Sequence, residues 1–423
     1  MNPHAMKNVT GLKCVICDRT YPADYAGYVC TDHGNEGILD VQYDYDTIAS
    51  EWTKEDLAAN PDRTMWRYKP VMPVAPDAEV PPLTVGGTPM YDAAPLATHL
   101  GIARVWVKDE GRQPTASLKD RASAMAVVKA REVGAEVVTT ASTGNAAAAL
   151  SGIAASVGQK NVIFVPRTAP EAKIAQLLTY GSTVALVNGS YGDAFDLCML
   201  AAAEYGWYNR NTGYNPFMTE GKKTAGWEIL EDLGWNPPDA IFVSVGDGSI
   251  IGGIHKAIKD AVALGWIERA PRIHGVQAAG SDYMVQAFES GEDVLTKPPI
   301  SADTIADSIS ADLPRDRIKA MRAVTETGGS YLRVSDDDIL AAMPLLARGS
   351  GVFAEPAGAT AYAGLVDAVE TGLVGAGDEV VVLSTGSGLK DVASAMKAVS
   401  AAGTKPMLVD PTLEALKEGL SQQ

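Results

Sequence analysis

From Ile102 onward short β-rich runs alternate with helical patterns, and this alternation constrains the fold more than any other feature of the chain. The runs are Arg104–Lys108, Val137–Thr140, Asn161–Val165, Thr183–Val187, Ala240–Val245, Ile273–Ala278, Tyr331–Val334 and Glu379–Leu383. Between them lie amphipathic stretches such as Leu118–Val133, Ala146–Val157, Pro170–Tyr180, Gly252–Leu264 and Asp336–Arg348. Strands separated by helices predict an α/β fold of mostly parallel sheets with helices on both faces. Ligands of such sheets bind beyond the carboxyl ends of the strands, often at helix N-termini. The chemistry is therefore expected in the loops that follow strands.

Composition narrows the partners. With 35 basic and 52 acidic residues the formal charge is −17, which repels nucleic acid and anionic lipid but leaves room for basic pockets. An apolar share of 46% in 423 residues supports a large core and two to three units. The longest uncharged stretch, between Glu136 and Lys160, carries Thr139, Thr140, Ser142, Asn145 and Ser151 and is too polar to span a membrane. The opening MNPHAMKNVTGLK lacks the apolar core of a secretory signal, so a cytoplasmic address is expected.

Four loops stand out. In Pro114-Thr115-Ala116-Ser117-Leu118-Lys119-Asp120-Arg121, Lys119 opens a helix, where the dipole disfavours a cation and should lower the amine's pKa. That suits a nucleophile, although a solvated surface lysine beside Asp120 fits the same pattern. Ser142-Thr143-Gly144-Asn145 crowds more polar groups at a helix start than a cap requires, a natural carboxylate or anion site. Gly246-Asp247-Gly248-Ser249-Ile250 lets a phosphate approach the backbone ahead of another helix, without the spacing of a nucleotide or dinucleotide loop. Ser384-Thr385-Gly386-Ser387 offers hydroxyls to a ring heteroatom or merely caps the next helix. A phosphate, an aldehyde for a lysine and a ring nitrogen together describe pyridoxal 5'-phosphate.

The motifs PTASLKDRA, STGN, VGDGSI and STGSGLKD resemble, in the same order, those of the fold-type-II pyridoxal-phosphate enzymes, the threonine synthases in particular. Further matches lie at Gly87-Thr88-Pro89, Lys108-Asp109-Glu110-Gly111, Asn215-Pro216 with Glu220-Gly221-Lys222-Lys223-Thr224, and Phe353-Ala354-Glu355-Pro356-Ala357-Gly358. The resemblance implies that Lys119 forms the Schiff base and then shuttles protons. It gives Asn145 to the cofactor's ring hydroxyl, Ser142, Thr143 and Gly144 to the substrate carboxylate, and the turn from Gly246 to Ile250 to the cofactor phosphate. Thr385 would face the pyridine nitrogen, a hydroxyl that leaves the ring largely unprotonated.

It also implies two three-layer α/β domains with the cofactor between them: a small one over 118–214, and a large one over 46–117 and 215–423. Residues 1–45 form a separate Cys/His segment, and the enzyme is expected to be a homodimer. The implied activity is that of a carbon–oxygen lyase, converting O-phosphohomoserine and water to threonine and phosphate. Three departures keep another reading open: Ala116 stands for a glycine, Met218 for an arginine and Ser387 for a histidine. A lost guanidinium weakens an anion site unless Arg210, Lys222 or Lys223 compensates, and each of these also fits a solvated charge. The alternative is a β-eliminating lyase (a dehydratase or ammonia-lyase) or a β-replacing enzyme for another substituted amino acid. A sensor that binds without catalysis could dispense with Lys119 and the carboxylate loop, which are both present.

Cys14-x2-Cys17 and Cys30-x2-His33 have the spacing of a closed Cys3His zinc site of structural type. A metal-free ribbon held by Tyr21, Tyr25 and Tyr28 fits equally. Cys198 is expected in the core, and His4, His99, His255 and His274 lack metal spacing. The proline-rich stretch 60–90 is expected to run as an extended arm over a surface.

Overall fold

Each run read as a strand is a strand in the computed structural model, which describes residues 6–169 and 171–421. Pro170, the expected start of one helix, and His4 lie outside the described residues. Four N-terminal strands, β1 (Val9–Cys14), β2 (Thr20–Tyr21), β3 (Val29–Cys30) and β4 (Gly34–Tyr43), form an antiparallel sheet in the order β2-β1-β4-β3. After β5 (Met90–Asp92) and β6 (Arg104–Asp109) come β7 (Val137–Ala141), β8 (Lys160–Pro166), β9 (Thr183–Val187) and β10 (Tyr208–Asn209). These last four make a parallel sheet ordered β10-β7-β8-β9. The strands β11 (Ala240–Ser244), β12 (Arg272–Ala278), β13 (Tyr331–Val334) and β14 (Glu379–Ser384) complete a six-stranded sheet ordered β13-β12-β11-β14-β6-β5. Only its edge strand β5 runs antiparallel. The fold is thus α/β with mostly parallel sheets and an N-terminal Cys/His ribbon, as expected.

Six helices position the site: α1 (Lys119–Glu132), α2 (Asn145–Ser156), α3 (Phe217–Asp232), α4 (Ser249–Ala263), α5 (Arg317–Thr325) and α6 (Pro356–Glu370). α1 is buried from Asp120 to Ala130 and α3 from Phe217 to Leu230, so neither has a solvent face. They lie in backbone contact: a Cβ on Gly221 would collide with the Arg121 carbonyl. Burial on all sides strips their charged residues of water, and ion pairs take its place. Arg121 forks between Glu110 at 2.7 Å and Glu228 at 2.6 Å, all three side chains being buried.

Two expectations are corrected. The proline-rich stretch is not a surface arm. Met65–Val71 winds as a short 3-10 helix, and Met65, Trp66, Tyr68, Val71, Met72, Val74 and Val85 sink into the main core. Tyr68 Oη donates to Glu231 on α3 at 2.5 Å. The prolines limit backbone hydrogen bonding, but the aromatic and aliphatic side chains between them decide where the chain goes. Nor are Arg210, Lys222 and Lys223 solvated: none is more than 1% exposed.

The last strand of the ribbon, β4, and Tyr45 just after it are bolted to α3, α4 and α5. Asp40 holds Lys256 at 2.7 Å and Lys319 at 3.3 Å. Tyr43 donates to Glu220 at 2.5 Å and Tyr45 to Asp260 at 2.6 Å.

Candidate active site

The site assembles where strands of the two parallel sheets end. β7 runs into Ser142-Thr143-Gly144 and then α2; β11 runs into the glycine turn and then α4; β14 runs into Thr385. The Lys119 loop is laced onto the Thr385 loop, with Leu118 N donating to Thr385 O at 2.9 Å and Ser387 N to Ala116 O at 3.0 Å. A cleft of about 430 Å³ is lined by Thr143, Gly144, Asn145, Ser308, Glu355 and Lys390, among others. A second, smaller pocket of about 20 Å³ is lined by Lys119, Lys222 and the turn Gly246–Ile250, and Ser308 borders both.

The turn is shaped for close approach. A Cβ on Gly246 would stand 2.6 Å from Ile309 Cα, and Gly248 has φ +90°. Asp247 turns its carboxylate onto the Arg315 amide at 3.0 Å, so an acid in an anion turn points its charge aside. Burial raises that carboxyl, against the pull of Lys222.

Lys119 is half-buried as a residue, and its amine is lowered to about 8. Burial is the leading cause and the Arg210 charge the second. The helix dipole on which the sequence argument rested is not what leads. At neutral pH such an amine reaches its nucleophilic form far more often than an ordinary lysine does.

Asn145 Nδ2 donates to Glu355 Oε1 at 2.6 Å and to Ser308 Oγ at 3.2 Å. Thr385 is buried, and the residue after it, Gly386, lies against Glu355 and Asn145. Thr143 and Gly144 line the cleft, whereas the Ser142 hydroxyl turns back to accept from Gly144 N at 3.2 Å. The sequence reading assigned no role to Glu355 or Ser308. A carboxylate placed directly before Pro356 at the start of α6 was the one available signal. Ser308 carried none. Met218 is fully buried, as is Lys223, which Glu220 and Asp260 hold at 2.6 and 2.7 Å.

Glu355 titrates near neutrality: burial raises it to about 7, while the Asn145 amide pulls the other way. A carboxyl raised on folding binds its proton more tightly in the native state, so stability falls as pH rises between its unfolded and folded values. Wild-type protein is expected to lose on the order of 3 kcal/mol from this group between about pH 4.5 and pH 7. Glu355→Gln should flatten that part of the curve in urea unfolding, and an unchanged difference between the two proteins would reject the assignment.

Ala116, where the resemblance expects glycine, keeps the glycine conformation at φ +65°. An L side chain there is strained by about 1 kcal/mol or more. Ala116→Gly is therefore expected to gain about 0.5–1 kcal/mol after the entropy of a freer unfolded chain is subtracted, read as a higher melting temperature.

In the ribbon the ligand atoms of Cys14, Cys17, Cys30 and His33 lie within 4.8 Å of one another. Cys17 Sγ and Cys30 Sγ are 3.8 Å apart, close to the edge of a tetrahedron with bonds of about 2.3 Å. The tyrosines pack there as well, with Tyr21 on Tyr25 at 4.4 Å and Tyr28 against Tyr214 at 5.3 Å. Cys198 is fully buried.

Residues 82–386 match the family described as pyridoxal-phosphate dependent enzyme. A threonine synthase of Methanocaldococcus jannaschii is 36% identical over 412 residues, covering 97% of this chain and 99% of that protein. One from Mycobacterium tuberculosis is 35% identical over 355 residues, covering 84% and 95%. In fold the chain is similar to the processed threonine deaminase isoform 2 of Solanum lycopersicum, with TM-score 0.66, 23% identity and coverage of 85% and 89%. It is also similar to diaminopropionate ammonia lyase of Escherichia coli, with TM-score 0.62, 18% identity and coverage of 74% and 88%. With matched residues spanning the lysine, the glycine turn and the cleft between them, the chain belongs to the pyridoxal-phosphate dependent enzymes, within their threonine-synthase branch.

Proposed function

We propose that this enzyme converts O-phosphohomoserine and water to threonine and inorganic phosphate, with Lys119 as the covalent anchor of pyridoxal 5'-phosphate. The observation that carries the reading is one small pocket lined by an amine of lowered pKa and a glycine turn at a helix start. When bound, the cofactor withdraws electrons from the substrate's α-carbon. Lys119, which lines the smaller pocket beside the cleft, would take and return protons at the substrate's carbons. Thr143, which lines the cleft ahead of α2, receives the substrate carboxylate, while the Ser142 hydroxyl holds the Gly144 amide and so fixes the turn. Asn145, tied to Glu355, orients the ring hydroxyl, and Thr385 meets the ring nitrogen. The 118–214 segment acts as the small domain, closing on the larger one to exclude water.

A second reading, β-elimination from another substituted amino acid, is favoured by Met218, which cannot contribute a guanidinium to a substrate phosphate. Phosphate release from O-phosphohomoserine, assayed beside ammonia release from serine and threonine, separates the two. Phosphate without ammonia supports the proposal, and ammonia without phosphate replaces it. The reading includes a cytoplasmic homodimer, carried by resemblance, for which sizing should give twice 44.4 kDa. Among the described residues no helix is long and apolar enough to cross a membrane.

The proposal also gives Cys14, Cys17, Cys30 and His33 one structural zinc ion, supported by three thiols and an imidazole within tetrahedral reach. All four positions would be filled, so the ion would fold the ribbon and take no part in the reaction. Elemental analysis is expected to find about one zinc per chain. Cys30→Ser should lose it and melt several degrees lower, because the ribbon itself carries Asp40 and Tyr43 and leads directly into Tyr45. Full stability without metal would leave the tyrosine-packed ribbon as the answer.

A further inference from the structure

Among the described residues, cationic side chains that are fully buried are, with two exceptions, matched by carboxylates. Lys108, Arg121, Lys129 and Lys223 are fully buried, and each holds a carboxylate oxygen at 2.6–3.0 Å. Arg210 and Lys222 are buried to the same degree, yet among the described residues neither forms an ion pair. Arg210 reaches only neutral oxygens: Thr212 Oγ1 at 3.1 Å, Ser123 Oγ at 3.2 Å and the Lys119 carbonyl at 3.4 Å. Lys222 Nζ donates to Thr212 Oγ1 at 3.3 Å and to Ser249 Oγ at 2.8 Å. Thr212 therefore joins the two cations.

Taking a charge out of water without a counter-charge is costly, and two adjacent like charges compound the cost. Asp247 and Asp316 are the acids whose charge acts on Lys222, and neither bonds to it. Asp247 is drawn off to the Arg315 amide, and Asp316 accepts from Thr219 Oγ1 at 3.3 Å. Burial, Lys119 and Arg210 together hold the Lys222 amine well below its ordinary range. The arrangement is short of negative charge in one place, beside the glycine turn. Lys222 lines the inner pocket with Gly246–Ile250 and is not among the residues lining the outer cleft. Its partner Ser249 is the first residue of the fifteen-residue α4, whose free amides face the same spot.

We propose that Lys222, backed by Arg210, is the charge partner of the cofactor's phosphate: a positioning pair that completes the glycine turn. This rests on the reading that pyridoxal 5'-phosphate occupies the cleft and adds to it the group that neutralises the phosphate. It assigns the pair to the cofactor rather than to a phosphate on the substrate, because the outer cleft, where the Thr143 and Gly144 amides lie, does not reach Lys222.

The test strips the cofactor and measures reloading by visible absorbance, with pyridoxal and inorganic phosphate as separate probes. Lys222→Gln is expected to weaken pyridoxal 5'-phosphate binding by about 10- to 100-fold. It should leave pyridoxal, which has no phosphate, unchanged. The phosphorus resonance of the loaded variant should move toward that of the monoanion, and Lys222→Arg should restore most of both effects. Cofactor-free Lys222→Gln should melt no lower than cofactor-free wild type, since it removes a buried amine that no carboxylate matches; Lys222→Met supplies the same comparison if the amide misfolds. Loading within twofold of wild type with an unmoved phosphorus resonance overturns the proposal. So does normal loading combined with lost competition between inorganic phosphate and substrate, which would give the pair to the substrate. Wild-type protein that takes up no pyridoxal 5'-phosphate would sink the underlying reading instead, and the two failures are told apart by that control.

Discussion

Lys119→Ala is expected to lose the visible absorbance of the cofactor-loaded protein and at least about a thousandfold in turnover, since one residue supplies both the covalent anchor and the proton carrier. The loss should be chemical and not structural. Lys119 is the first residue of α1, a position where alanine is a good helix former, and Leu118 N still bonds to Thr385 O. Cofactor-free wild type and variant should therefore melt within about 1 kcal/mol of each other. The glycine turn and Lys222 remain in place, so the variant should still bind the cofactor without linking to it. Lys222 is the only other lysine lining that pocket among the described residues, but its amine is held by Ser249 and Thr212. A variant that keeps the absorbance band of the covalently linked cofactor, and not that of the free aldehyde, would mean that another amine makes the bond.

What could be read from the chain divides along physical lines. Parallel strands buried on both faces leave continuous apolar runs, so β11 and β14 were legible within a residue or two. The loops of the site were legible because a glycine or hydroxyl cluster at a strand end has few other uses. α3 is different. It is buried on every side and carries Glu220, Lys222, Lys223 and Glu228 inward, so no amphipathic period marks it. Partners of buried charges were also hidden: Lys223 and Asp260 meet at 2.7 Å across a sequence gap that no local pattern bridges. The pKa of Lys119 was expected to fall and does. The expected cause was local, but the leading one is burial, a property of the assembled cleft.

Arg121→Ala is expected to cost about 3–5 kcal/mol, a large part of a typical total stability of roughly 5–15 kcal/mol. The guanidinium donates through Nε and Nη2 to Glu110 at 2.8 and 2.7 Å, through Nη1 and Nη2 to Glu228 at 2.6 and 2.7 Å, and through Nη1 to Thr224 at 2.9 Å. It joins α1 to α3 and to the residues that follow β6. Without it Glu228 keeps Lys108 at 3.0 Å, but Glu110 keeps only neutral donors, Thr88 at 2.6 Å and Gln113 at 2.9 Å. The penalty is therefore dominated by one stranded carboxylate, and it should depend on pH. In wild type Arg121 and Lys108 hold Glu228 well below the usual carboxylate range. A carboxyl lowered on folding contributes stability above its unfolded pKa and loses it as pH falls through the folded one. Wild-type protein should accordingly weaken in acid. Arg121→Ala loses the larger of the two pulls on Glu228 and so should weaken less in acid, which narrows the gap between the two proteins. Adding Glu110→Gln to Arg121→Ala should recover about 1–2 kcal/mol by removing the stranded charge. Urea unfolding of the four proteins of this double-mutant cycle, at neutral and mildly acidic pH, measures each term. A single-variant cost below about 1 kcal/mol would mean that water reaches the network and that α1 is not pinned through Arg121.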